Sequence, residues 1–187
     1  MGHGGRVVNK ALFSSKKHDW NTPENVLKLV RQVAPIGLDP CSNERSTVKA
    51  TLALDKEQDG LAIPWSGHGL VFVNPPYGRE IEPWIEKCRA EAAHGAEIVA
   101  LVPARTDPIW MQRDGFTAQR ICFWRGRIRF QGAAAGAPFP SALLYWGGNG
   151  PRFAAVFSDH GRIVRSWPFF GEGSQGPDCP QSGQRVG

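Results

Sequence analysis

Leu70-Val71-Phe72-Val73-Asn74-Pro75-Pro76-Tyr77 reads as a buried strand cut short by two prolines. The β-branched and aromatic run predicts the strand, and Pro75 and Pro76 end it by removing backbone donors and fixing φ. The chain therefore leaves the sheet at Asn74, on a strand's carboxyl rim. The Asn74 carboxamide offers an acceptor oxygen and an NH2 donor, and the Pro75 carbonyl is a second acceptor with no amide hydrogen in competition. Two adjacent acceptors suit an exocyclic amino group. Tyr77 adds a face on which a planar base or amide can stack, worth about 1–3 kcal/mol for a nucleobase.

Outward from this strand, hydrophobic periodicity lays out an α/β order. Upstream, Val26, Leu29, Val30 and Val33 recur at helical spacing, with Thr22 as N-cap and Pro23 at the first helical position. Ile36 to Asp39 is a short strand closed by Pro40, and Cys41 to Gln58 is a polar loop with one irregular element around Val48 to Leu54. Downstream, Ile81, Trp84, Ile85, Cys88 and Ala92 form the apolar stripe of a helix ended by Gly95. Ile98 to Val102 is the next strand, and Asp107 to Arg113 a short helix carrying Trp110. Ile121 to Trp124, Arg127 to Phe130 and Ser141 to Trp146 are strand-like. Phe153 to Phe157 and Ile163 to Trp167 suggest a further hairpin around Asp159-His160-Gly161. Helices alternating with strands, then strands alone, predict a mainly parallel sheet completed by an antiparallel C-terminal hairpin.

The 187 residues suffice for one α/β domain at 18–167. A flexible polar arm at 1–17 precedes it. At 168–187 a tail of Gly, Pro, Ser and Gln, with few aliphatic residues to repay its ordering entropy, is expected to be disordered. No apolar run of about 18 residues and no signal-peptide pattern occurs, which predicts a soluble cytoplasmic protein with no membrane partner. Cys41, Cys88, Cys122 and Cys179 are spaced for neither a zinc ribbon nor a disulfide scaffold, so reduced thiols and no metal are expected. A net charge of +5 favours an anionic partner. In an extended strand Arg125, Arg127 and Arg129 share one face while Ile128 and Phe130 point to the other, a basic face suited to phosphate.

Five segments in order carry a resemblance. They are Asp19-Trp20-Asn21-Thr22-Pro23, then Leu38-Asp39-Pro40-Cys41-Ser42, then Asp59-Gly60-Leu61 with Trp65, then Asn74-Pro75-Pro76-Tyr77. The last is Arg127-Ile128-Arg129-Phe130 followed by Ala137-Pro138-Phe139-Pro140-Ser141. The tetrad resembles the Asp/Asn-Pro-Pro-Tyr motif of S-adenosylmethionine-dependent amino methyltransferases. Over roughly residues 19 to 146 the chain is similar to the phage-type DNA N6-adenine methyltransferases.

The resemblance implies a Rossmann-like methyltransferase fold, S-adenosylmethionine as cofactor and double-stranded DNA as partner. It implies a phage or prophage enzyme in a bacterial host, with a restriction partner left open. Asn74, Pro75, Pro76 and Tyr77 are then catalytic, accepting from the amino hydrogens of an adenine flipped out of the duplex and stacked on Tyr77. Thr22, Pro23, Asp39, Cys41, Asp59 and Leu61 are cofactor-binding, with Asp39 near the methionine ammonium and Asp59 at the purine amino group. Asp55 and Glu57 are both candidates for the ribose hydroxyls. Arg125, Arg127 and Arg129 are the DNA-binding candidates, and Trp124, Phe130 and Phe139 either hold the distorted strand or fill the core. Pro40-Cys41-Ser42-Asn43 departs from the commoner methyltransferase pattern in having no glycine, although the phage-type enzymes resemble this variant. With no room for a recognition domain, target choice falls to loops such as 42–58 and 131–140. Two other functions use similar residues: methyl transfer to an RNA amino group or a protein glutamine amide, and non-catalytic nucleic-acid binding.

Overall fold

A seven-stranded sheet sets the position of every candidate residue in the computed structural model, which describes residues 20–165. Asp19 and the expected arm (1–17) and tail (168–187) lie outside the described residues. In chain order the elements are helix α1 (Glu24–Val33), strands β1 (Ile36–Asp39), β2 (Leu52–Ala53) and β3 (Leu70–Val73), helix α2 (Ile81–Ala93) and strand β4 (Glu97–Pro103). Helix α3 (Ile109–Arg113), a 3-10 turn (Gly115–Thr117), strands β5 (Arg120–Trp124) and β6 (Ser141–Trp146), helix α4 (Gly150–Phe157) and strand β7 (Gly161–Val164) follow. The lateral order is β2-β1-β3-β4-β6-β5-β7. The first four strands are parallel, and the last three pair antiparallel with their neighbours.

Helices cover both faces, so β3 is buried throughout, as a continuous apolar run in a parallel sheet requires. On one face Ile81, Ile85 and Cys88 of α2 and Trp110 and Met111 of α3 pack with Val71, Val73, Ile98 and Ala100. On the other, Val26, Leu27 and Val30 of α1 and Phe153 and Phe157 of α4 pack with Phe72, Val99, Leu101 and Tyr145. Each such aliphatic or phenyl side chain contributes about 1.5–3 kcal/mol relative to exposure. The carboxyl ends of β1, β3 and β4 share one rim with the start of β6, because Pro103 pairs with Ser141.

The structure differs from the sequence-based expectation in three places. Arg127 to Phe130 is not a strand. Both edges of β5 are occupied by β6 and β7, and Gly126, at φ +82°, turns the chain out of the sheet. Ile128 and Phe130 are still buried, but in a segment that crosses the rim and is tied by Gln131 N–H to the Asn21 carbonyl (2.9 Å) and Ala137 N–H to the Ile128 carbonyl (2.8 Å). Second, Phe153 to Phe157 is part of helix α4. The two phenyl rings, one helical turn apart, are fully buried, with centroids 4.7 Å from each other, and Phe153 stacks on Tyr145 at 4.9 Å. The last strand, β7, therefore pairs with β5 rather than forming a hairpin with that segment. Third, the N-cap of α1 is Pro23, and Thr22 makes no capping bond.

Candidate active site at the carboxyl rim

Asn74 stands where β3 meets the rim, and both ends of its amide are held. Nδ2 donates to the Trp20 carbonyl (2.5 Å), and Oδ1 accepts from the Tyr77 hydroxyl (3.0 Å). A carbonyl oxygen can only accept, so the Trp20 contact orients the amide and leaves Oδ1 with one further lone pair. The Tyr77 hydrogen lies between Asn74 Oδ1 and the Leu101 carbonyl (3.3 Å), and burial pushes its phenol pKa well up, keeping it a neutral donor. No loop or side-chain donor among the described residues reaches the Pro75 carbonyl. Around Tyr77 the rings of Phe130 (6.2 Å) and Phe139 (5.4 Å) approach edge-on, and Trp20 meets the same two rings at 5.2 and 5.4 Å.

One strand over, Asp39 ends β1 with its side chain buried. Oδ1 accepts from the Cys41 N–H (3.3 Å) and Oδ2 from the Ser46 hydroxyl (3.1 Å). Burial raises its pKa, and the hydrogen bonds offset part of that rise. Asp39 has no ion-pair partner among the described residues. Burial first, and then the Asp39 charge, pushes the Cys41 thiol pKa well up, and the nearby Asn74 backbone N–H offsets part of that rise. Burial also raises Cys88, and pushes Cys122 up to about 12. None of the three is a thiolate at neutral pH, so none of them serves as a sulfur nucleophile.

The third segment, 59–61, joins the first loop by direct backbone contact. Gly60 is buried against Pro40, where a Cβ would stand 1.9 Å from the Pro40 carbonyl oxygen. The Gly60 carbonyl accepts from Trp65 Nε1 (2.8 Å), and the Trp65 backbone N–H donates to Glu91 of α2 (2.8 Å). Gly60 thus provides the close approach that the glycine-free Pro40–Asn43 loop does not. Asp59 is exposed, has φ +43°, and its Oδ1 accepts from the Leu61 N–H (3.2 Å). Asp55 Oδ1 accepts from the N–H groups of Glu57 (2.9 Å) and Gln58 (3.1 Å), which makes it a turn former.

The entry to α1 ties these pieces together. Beside Trp20, Asn21 Oδ1 accepts from Asn43 Nδ2 (2.8 Å), and the Thr22 carbonyl accepts from Thr47 Oγ1 (3.5 Å). Thr22 is buried, and its own hydroxyl has no hydrogen-bond partner among the described residues. Residues 10–142 match the family model described as DNA N-6-adenine-methyltransferase (Dam), more than two thirds of the chain.

The chain belongs to that family. No curated protein matches it. The family segment takes in all five motif segments and ends at the start of β6, so α4 and β7 lie beyond it. Of the family member's predicted site residues, Thr22, Pro23, Asp39, Cys41, Asn74, Pro75, Pro76 and Tyr77 converge on the rim, with Asp59 and Leu61 attached through Gly60. The three arginines do not form one strand face. Arg125 donates to the Asp159 carbonyl, and Arg129 donates to the carbonyls of Ala133 (3.2 Å) and Ala134 (2.8 Å). Arg127 is exposed and makes no hydrogen bond or ion pair among the described residues. Phe130 and Phe139 reach the site, whereas Trp124 stacks on His160 at 5.5 Å toward the far edge. Ser46, Gly60, Trp20 and Ser141 escaped the sequence reading as site residues. Trp20, Gly60 and Ser141 stand inside the motif segments without a role assigned to them, and Ser46 carried no signal.

Proposed function

We propose that this methyltransferase transfers a methyl group from S-adenosylmethionine to N6 of an adenine extruded from double-stranded DNA. The observation that carries the reading is the doubly anchored Asn74 amide, which presents an oriented lone pair beside the Pro75 carbonyl under a set of aromatic rings. Those two acceptors suit the two N6 hydrogens. By drawing them out of the ring plane they localise the nitrogen lone pair that attacks.

The residues present fit the cofactor. Buried Asp39, without a cationic partner among the described residues, suits an ammonium group, and the Thr22 hydroxyl, unsatisfied among the same residues and beside Pro23, suits a polar group of the same moiety. Asp59 retains Oδ2 for a purine amino group, with half-buried Leu61 next to it. S-adenosylmethionine supplies an electrophilic methyl on sulfonium sulfur. The chain's own work is to hold that group over Asn74, to stack the base on Tyr77 and to exclude water with Trp20, Phe130 and Phe139. Extruding the base costs a few kcal/mol, which stacking on Tyr77 offsets. Duplex DNA approaches across 125–140, where Arg127 has its guanidinium available for phosphate. No described helix is long and apolar enough to cross a membrane.

The test measures labelled methyl incorporation into duplex DNA, RNA and protein, followed by nucleoside analysis. N6-methyladenine in DNA is expected from the parent, and none from Asn74→Ala, with cofactor affinity changed only a few-fold. Equal activity of the two would overturn the role of Asn74, and methyl transfer confined to RNA or protein would overturn the substrate.

A further inference from the structure

We infer that the Ser141 hydroxyl donates a hydrogen bond to a ring nitrogen of the extruded adenine, the N1 or N7 that flanks N6. The inference rests on the proposed methyl transfer and adds a group that holds the ring beside the reacting nitrogen. Ser141 is 1% exposed, and its Oγ has no hydrogen-bond partner among the described residues. Buried hydroxyls are nearly always satisfied, and Thr22 is the other exception among the described side chains. Thr22 belongs to the cofactor side of the rim. Nothing described so far uses Ser141.

Its position shows what it can reach. Ser141 opens β6 opposite Pro103, the last residue of β4, on the rim where β3 delivers Asn74. Side chains alternate along a strand, so Ser141 shares a face with Leu143 and Tyr145. That face carries Phe130 and Ala137, with Tyr77 and Phe139 packed against it. Asn74 directly follows β3, two residues beyond Phe72, which packs on that face. Two contacts fix the spacing: the Pro140 carbonyl accepts from the Ala104 N–H (2.8 Å), and the Tyr77 hydroxyl reaches Leu101 (3.3 Å), two residues before Pro103. Ser141 therefore stands two residues along the β4–β6 ladder from the Leu101 position that the Tyr77 hydroxyl reaches.

The chemistry is complementary. Adenine presents two N6 donors flanked on both sides by ring nitrogens that only accept. Asn74 and Pro75 satisfy the donors, and the hydroxyl hydrogen of Ser141 satisfies one flanking acceptor. Cytosine has a ring nitrogen on one side of its amino group and carbon on the other, so it matches a bond at the N1 position and not one at the N7 position. A buried hydroxyl with no partner among the described residues makes binding of the base more favourable, because no protein acceptor competes for its hydrogen.

The experiment crosses Ser141→Ala with target-base analogues. Parent and variant are assayed for kcat/KM on otherwise identical duplexes carrying adenine, 1-deazaadenine or 7-deazaadenine at the target. Ser141→Ala is expected to lose about tenfold on adenine and less than twofold on the one analogue that lacks the accepting nitrogen. Its melting temperature should equal or exceed that of the parent, since an unsatisfied hydroxyl is removed. An equal loss on all three duplexes, no loss on adenine, or a fall in melting temperature matching the activity loss would overturn the inference. Parent activity on the adenine duplex reports separately on methyl transfer, and an inactive parent would overturn both.

Discussion

Gly60→Ala offers the sharpest test of how the rim is assembled. A Cβ at this position would lie 1.9 Å from the Pro40 carbonyl oxygen, 2.7 Å from its carbonyl carbon and 2.9 Å from its Cβ. The first two are backbone atoms that cannot rotate away, so the loops after β1 and β2 must separate by roughly 1 Å to restore contact distance. Overpacking of this kind costs about 1–3 kcal/mol, which for a domain of this size corresponds to a melting point lower by roughly 2–12 °C. The larger effect falls on function. Asp39 and Cys41 stand on one side of this contact and Asp59 and Leu61 on the other, and a misplacement near 1 Å in a binding constellation can cost about a hundredfold. Calorimetric titration with S-adenosylmethionine should show affinity at least tenfold weaker in the variant. Gly148→Ala is the control, because a Cβ there meets nothing within 4 Å, and it should bind like the parent. Parent-like affinity in Gly60→Ala would refute the idea that the two loops form one cofactor cradle through this glycine.

Tyr77→Phe keeps the stacking ring but releases Asn74 Oδ1, so methyl transfer should fall about tenfold rather than vanish; a loss as complete as that of Asn74→Ala would show that the hydroxyl does more than orient. Burial raises the folded-state pKa of Asp39 above its ordinary value of 3.8. Its contribution to stability is therefore fully present below that value and lost as pH rises through the folded value. Asp39→Asn should accordingly melt higher than the parent at about pH 7, converge with it near pH 3, and bind S-adenosylmethionine more weakly; melting curves that stay parallel across that range would contradict the assignment. Arg127→Gln should flatten the salt dependence of DNA affinity by about 0.9 in the log–log slope, measured by titration at several salt concentrations. Arg129→Gln should instead loosen loop 131–136 with a smaller change in slope, and equal slope changes in the two variants would restore a shared phosphate face.

Local pattern in the chain specifies some of these elements without help from tertiary contact. The apolar run at 70–73 had to be a buried strand, the prolines after it had to end it, and the motif order set the family. The stripe Ile81, Ile85, Cys88 likewise set α2. Where one pattern fits two structures, only tertiary contact decided. Phe153 and Phe157 satisfy a strand alternation as well as a helical turn, and the need to cover Tyr145 selected the helix. Arg127 to Phe130 alternates like a strand, yet β6 and β7 had already taken both edges of β5, so the segment keeps its in-and-out pattern without a ladder. The site divides in the same way. Asn74, Tyr77 and Asp39 were legible because proline and strand ends announce them. The hold of Trp20 on Asn74, of Ser46 on Asp39, the contact of Gly60 with Pro40 and the unsatisfied Ser141 were not, because each joins segments far apart in the chain, and no local pattern encodes which loops meet at a rim.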